Sequence, residues 1–217
     1  MANEVDTRKL ILVPALITLA VTLLRLTGEL RHWSPALFNP AAGGGGAIVG
    51  ITWLVPVFGI YFGLKLARAG LAGATGPAIG LALLGLLIMP IGGFTAVKLG
   101  MSQQSLALLG VFVVLSIVGA VIAYRGWPAL GRVLLAYGLA ARVPVAFVML
   151  LAMLGNWGTH YDVAPPDFPA MSPFAKWVII GLVPQMTIWI WFTIAMGGLL
   201  GAIAAAVTAR SRRPALA

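Results

Sequence analysis

Few side chains in this chain could titrate near neutral pH or bind a hard metal, and they gather in two short segments. Apart from Glu4 and Asp6 at the start, the acids are Glu29, Asp162 and Asp167, and the two histidines are His32 and His160. The first segment reads Arg25-Leu-Thr-Gly-Glu29-Leu-Arg31-His32-Trp33. On a continuing helix, Arg25 and Glu29 are neighbours at i,i+4, and Glu29 and His32 at i,i+3. The second reads Asn156-Trp-Gly-Thr-His160-Tyr-Asp162. Glu29, His32, His160 and Asp162 together would suffice for a zinc or iron ion if the segments converged. Their spacing matches no standard metal motif, so an ion-pair and hydrogen-bond cluster anchoring loops is the plainer expectation.

A second chemistry lies between these segments. Gly43, Gly44, Gly45 and Gly46 are consecutive and open into an apolar stretch. Backbone N–H groups at a helix start can bind an anion, and glycines let them approach it. With Arg25 and Arg31 near in sequence, a carboxylate or a phosphate headgroup is the implied ligand. The loop lacks the Lys and Ser/Thr of a P-loop, and a turn before a helix is the plain alternative.

Arg142 is the third feature. It falls about ten residues into an apolar stretch, roughly 15 Å along a helix and near the middle of a bilayer. Arginine at that depth costs at least about 2.5 kcal/mol, so the guanidinium must face other helices, a wet cavity or an anion. The stretch around it holds no acid to neutralise it. The carbonyl of Ala140, freed by Pro144, and the Gln185 side chain are the expected acceptors.

These residues are carried by apolar stretches that fill nearly the whole chain. Of 217 residues, 61% are hydrophobic and 9% charged, against roughly 25% charged in a soluble domain. The expected fold is therefore all-α: one integral membrane domain, residues 1–217, built as a bundle of six transmembrane helices. The spans are Leu10–Leu30, Ala47–Ala67, Pro77–Val97, Ser105–Tyr124, Leu130–Leu154 and Trp177–Val207. The first is read as retained rather than as a signal peptide, because no small-x-small cleavage pattern follows it.

The net charge of +9 places Arg8, Lys9, Lys65, Arg68, Arg125, Arg132, Arg210, Arg212 and Arg213 on one side. Arg25, Arg31, Lys98 and Lys176 lie on the other. By the positive-inside rule both termini are cytoplasmic, and the acid and histidine segments are external. A bacterial cytoplasmic (inner) membrane is the expected location, and nucleic acid is not an expected partner, because no basic run lies on a polar helix. Prolines interrupt five spans (Pro14, Pro56, Pro90, Pro144, Pro184). The spacings Gly46/Gly50, Gly59/Gly63, Gly76/Gly80 and Gly197/Gly201 fit close helix contacts.

Several activities are excluded by composition. The absence of cysteine removes disulfides, Fe–S clusters and thiolate nucleophiles. The spans hold no histidines for bis-histidine haem ligation, no paired Asp for an aspartyl protease, and no serine with a membrane histidine. No cofactor is implied. The leading expectation is a protein of the lipid bilayer that binds or transports a small solute or lipid through an outer polar vestibule. Arg25, Glu29, Arg31, Gly43, Gly44 and Gly45 would line it, with Arg142 and Gln185 deeper. An accessory subunit that associates with other membrane-complex subunits is the second expectation, and a metal-dependent membrane enzyme the third.

Overall fold

In a computed structural model, residues 5–102, 105–166 and 168–211 are described. Glu4, Asp167, Arg212 and Arg213, which figured in the charge pattern, lie outside them. The described chain is helical, with no strand. We number the helices α1 (Thr7–Leu30), α2 (Leu54–Arg68), α3 (Thr75–Lys98), α4 (Leu106–Gly126), α5 (Pro128–Gly155) and α6 (Pro173–Ser211). All except α2 are long and apolar enough to cross a membrane, which marks an integral membrane protein. Large apolar side chains such as Leu16, Leu84, Phe94, Val114 and Phe147 point outward. Such a surface is stable in lipid and would not be in water.

The second stretch departs from expectation. Hydropathy predicts a helix over Ala47–Ala67, yet α2 begins only at Leu54 and has 15 residues. At 1.5 Å per residue that is about 22 Å, short of a hydrocarbon core of about 30 Å. Residues 47–53 instead run as bends and turns, with the Leu54 N–H donating to Ile51 O at 3.2 Å. Non-helical backbone within an apolar stretch is tolerated where protein buries it or it lines a cavity, and Gly50, Ile51 and Thr52 line one here.

Helix α6 is irregular at the same end of the molecule. Ser172 caps it by accepting from Ala175 N, and residues Trp177–Leu182 form a π-helical turn. Pro184 has no N–H to offer the carbonyl of Ile180, and a regular helix resumes at Ile188. The Trp177 indole pins the wide turn to α5 by donating to Ala146 O at 2.7 Å.

The regular part of α6 is the centre of the bundle, packing against α2, α3, α4 and α5, while α1 lies along α5. Small residues set these contacts. A Cβ on Gly59 would land 2.5 Å from Gly197 Cα, and one on Gly63 would meet the Gly201 backbone. The two spacings of small residues expected on α2 and α6 thus face each other, as close-packed membrane helices require. Gly85 of α3 and Gly119 of α4 pair in the same way, and Trp191 donates to Gly85 O at 2.6 Å. The other two spacings do no such work: Gly46 lies in the loop at φ 78°, and Gly76 and Gly80 face open space. Tyr137, Phe62, Leu66, Leu130 and Leu134 fill the centre between α2, α5 and α6. Trp127 is buried and ties the loop after α2 by donating to Leu71 O. Trp53, just before α2, is exposed.

Candidate functional site

Where the two irregular stretches face each other they leave a cavity of about 200 Å³. Helix α1 supplies Thr22 and Arg25, α5 supplies Arg142 and Met149, α6 supplies Ile180, Gln185 and Trp189, and the loops supply Gly43, Gly44, Gly50, Thr52, His160 and Tyr161. At roughly 30 Å³ per water, it has room for a small polar ligand or several waters.

Its α1 wall is a polar stripe in an otherwise apolar helix. Thr18, Thr22, Arg25 and Glu29 are spaced 4, 3 and 4 apart, share one face, and are all buried. Thr18 shares a 2.8 Å hydrogen bond with the Tyr137 hydroxyl, which fixes α1 against α5. The Glu29 carboxylate at the end of the stripe is fully enclosed and triply bonded. It accepts from Arg25 Nε at 2.8 Å, from the His160 backbone N–H at 2.8 Å, and from His160 Nδ1 at 2.5 Å. Because the carboxylate can only accept, the imidazole proton sits on Nδ1 and Nε2 is left as an acceptor. Burial pushes the His160 pKa below its ordinary value, the Glu29 hydrogen bond resists this, and the nearby Arg25 cation adds to it.

The loops are shaped around these groups. Arg25 Nη2 donates to Asn39 O at 3.1 Å and to Gly44 O at 2.9 Å. A Cβ on Gly44 would land 2.6 Å from the His160 ring and 2.8 Å from Arg25, and Gly44 also has φ 65°. Glycine is required there on both counts. Asp162 closes the other loop by accepting from Gly158 N, Thr159 N and Thr159 Oγ1. That turn presents His160 to Glu29, and Tyr161 stacks on the imidazole and donates to Thr22 O.

Arg142 forms the deep wall. It is 3% exposed and reaches Gln185 Oε1 at 3.4 Å, with its guanidinium 4.4 Å from the Trp189 ring centroid. Its Nε is buried with no hydrogen-bond partner, and no acid pairs with it among the described residues. Glu29 offsets Arg25, so one cation in the cavity walls is left unbalanced. A buried donor without a partner is uncommon and costly in folded proteins. The same side chain lines the cavity wall.

Several expectations need correction. The metal set is not assembled: Glu29 and His160 meet, but His32 is exposed at φ 50° just beyond α1, and Asp162 is occupied by its own turn. No group of three or more metal-ligating side chains occurs among the described residues. The glycine loop does not offer its N–H groups at a helix start. Its Gly44 carbonyl accepts from Arg25, and Gly45 O accepts from Asn39 Nδ2 at 2.7 Å. Gly43 and Gly44 are cavity walls, Gly45 lines only the adjoining hollow, and the exposed Arg31 lines neither. Ala140 is not a partner of Arg142; Gln185 is. Trp189, Thr22 and Tyr161 were missed as wall residues. The 4-3-4 spacing on α1 is the signal by which Thr22 could have been found.

Comparison with protein-family models, curated proteins and solved structures finds no match. The function must be argued from the site.

Proposed function

We propose that the protein binds, and carries across or within the membrane, a small solute or lipid through its anionic group, held in the cavity between Arg25 and Arg142. The observation that carries this reading is Arg142: deep in an apolar bundle, without a carboxylate, and with an unpaired donor beside an open cavity. Arginine cannot shed its proton to relieve that burial. The broken helices support the same reading, because transporters build substrate sites from discontinuous helices that meet at membrane depth. Two irregular stretches, residues 47–53 and Trp177–Leu182, flank this cavity.

The topology that goes with it has six crossings, α2 and its irregular lead-in together making the second. Both termini are cytoplasmic and the cavity opens to the outer face of a bacterial inner membrane, in keeping with the nine-to-four charge bias. Reporter fusions after Trp33 and Ser102 should then read external, and those after Ala74, Arg125 and Ala217 internal. A C-terminal reporter active only outside would overturn the orientation.

The binding test uses protein purified in mild detergent and a panel of acetate, inorganic phosphate and glycerol phosphate, with neutral glycerol as control. An anion present at a hundred times its Kd should stabilise the fold by about 2.7 kcal/mol. Arg142→Gln should abolish that stabilisation while the protein still inserts. If no anion stabilises the wild type, or if Arg142→Gln responds as the wild type does, the reading is wrong.

A further inference from the structure

The cavity continues sideways. Arg25, Gly44, Gly50 and Thr52 also line a second, broader hollow of about 410 Å³. Past those four shared residues its character changes: the walls become Trp53, Pro56, Phe192 and Met196, with Ile48 at the rim. Ile48 and Trp53 are 67% and 51% exposed. On α6 the hollow runs from Phe192 to Met196, four residues or about 6 Å along the helix, while Trp189 belongs to the first cavity.

One molecule with two unlike ends matches this arrangement. Its charged end would sit between Arg25 and Arg142, and its apolar end against Phe192 and Met196. The aromatic surface is continuous between them, since Trp189 carries the Arg142 guanidinium on its face and meets the Phe192 ring edge-on at 6.0 Å. A small hydrophilic anion would use the first hollow and leave the second, apolar one facing lipid with nothing to recognise. Arg25 belongs to both, so charge complementarity marks where the headgroup must stop.

We infer that the ligand is an anionic lipid of the surrounding bilayer, its headgroup in the Arg25–Arg142 cavity and an acyl chain in the groove between α2 and α6. It enters sideways past Trp53 rather than from water. This rests on the anion-binding reading above and adds to it the class of molecule and the door.

Native mass spectrometry on the full chain tests it, with dioleoyl phosphatidylglycerol, dioleoyl phosphatidylcholine and glycerol phosphate as probes. Phosphatidylglycerol should bind one per chain and outcompete both others by about tenfold or more, phosphatidylcholine because it lacks net negative charge and glycerol phosphate because it has no acyl chain to bury. Met196→Trp, which fills the groove, should weaken phosphatidylglycerol by a similar factor and leave glycerol phosphate binding unchanged. Arg142→Gln should weaken both. If glycerol phosphate binds the wild type as tightly as the lipid and Met196→Trp changes neither, the amphiphile is refuted while anion binding stands. If phosphatidylcholine binds as well as phosphatidylglycerol, the headgroup assignment fails and the anion reading falls with it. The lipid comparison needs only wild-type protein, so it decides the matter even should Arg142→Gln not fold.

Discussion

Replacing Glu29 with glutamine is the sharpest test of the buried cluster. As the i,i+4 pair that the sequence suggests, exposed at the interface, Arg25 and Glu29 would contribute no more than about 1 kcal/mol. The structure places the pair inside, with the side chains 10% and 0% exposed, and adds two donors from His160. Glutamine has nearly the same shape, but it is neutral, and one of its two terminal atoms becomes a donor facing donors. Hydrogen bonds to charged groups contribute about 1.5–3 kcal/mol each, and breaking a buried pair typically costs about 3–5 kcal/mol. The upper part of that range is tempered because Arg25 keeps Asn39 O and Gly44 O as acceptors. We therefore expect a loss of about 3 kcal/mol. Reversible unfolding in mixed detergent micelles, followed by tryptophan fluorescence, would measure it. A cycle with Arg25→Met, alone and combined with Glu29→Gln, should show strong coupling. A loss under about 1 kcal/mol, or additive single changes, would mean that the cluster is wet and the argument from burial is wrong.

The remaining expectations are independent of that cycle. His160 prefers the neutral form when folded, because burial lowers its pKa below 6.5, so the unfolded chain binds the extra proton. Stability should then fall as pH drops below about 6.5, and His160→Gln should flatten that part of a melting-temperature profile; a wild-type protein that gains stability on acidification from pH 7 to 5.5 would contradict this. Gly59→Val and Gly63→Val should each lose about 1–3 kcal/mol or fail to fold, since the added carbons meet the α6 backbone. Gly76→Ala and Gly80→Ala, facing open space, should melt like the wild type. His32→Ala should change neither stability, beyond about 0.5 kcal/mol, nor anion response. A large effect of that change in either assay would revive a role for this histidine beside Glu29.

Hydropathy alone located the five long helices to within a few residues, because a bilayer demands length and apolarity and the sequence displays both. It misjudged α2 because residues 47–53 are apolar too. The run of glycines before it and the carbonyls of Asn39 and Gly44, which turn to accept from Arg25, belong to a loop rather than a helix, and a hydropathy window sees neither. Arg142 and Gln185 could be paired in advance by depth and hydrogen-bonding capacity. The bond between Glu29 and His160 could not, since 131 residues separate them and only the folded loops bring them together. Trp189 serves as a platform for the Arg142 cation, a role that no charge or spacing in the sequence marks.

The π turn at Trp177–Leu182 holds one more residue than an α-helix would fit in the same rise. That surplus residue sets rotational phase. Each residue of an α-helix advances about 100° around the axis. Deleting one residue from the turn would let α6 wind regularly, but it would swing the two sides of the turn past each other by that angle. Trp177 could then stay on α5, or Gln185 and Trp189 could stay against Arg142, but not both. The irregularity is a spacer that lets a single helix keep two appointments on different faces. A shortened α6 would be a more regular helix in a less capable protein.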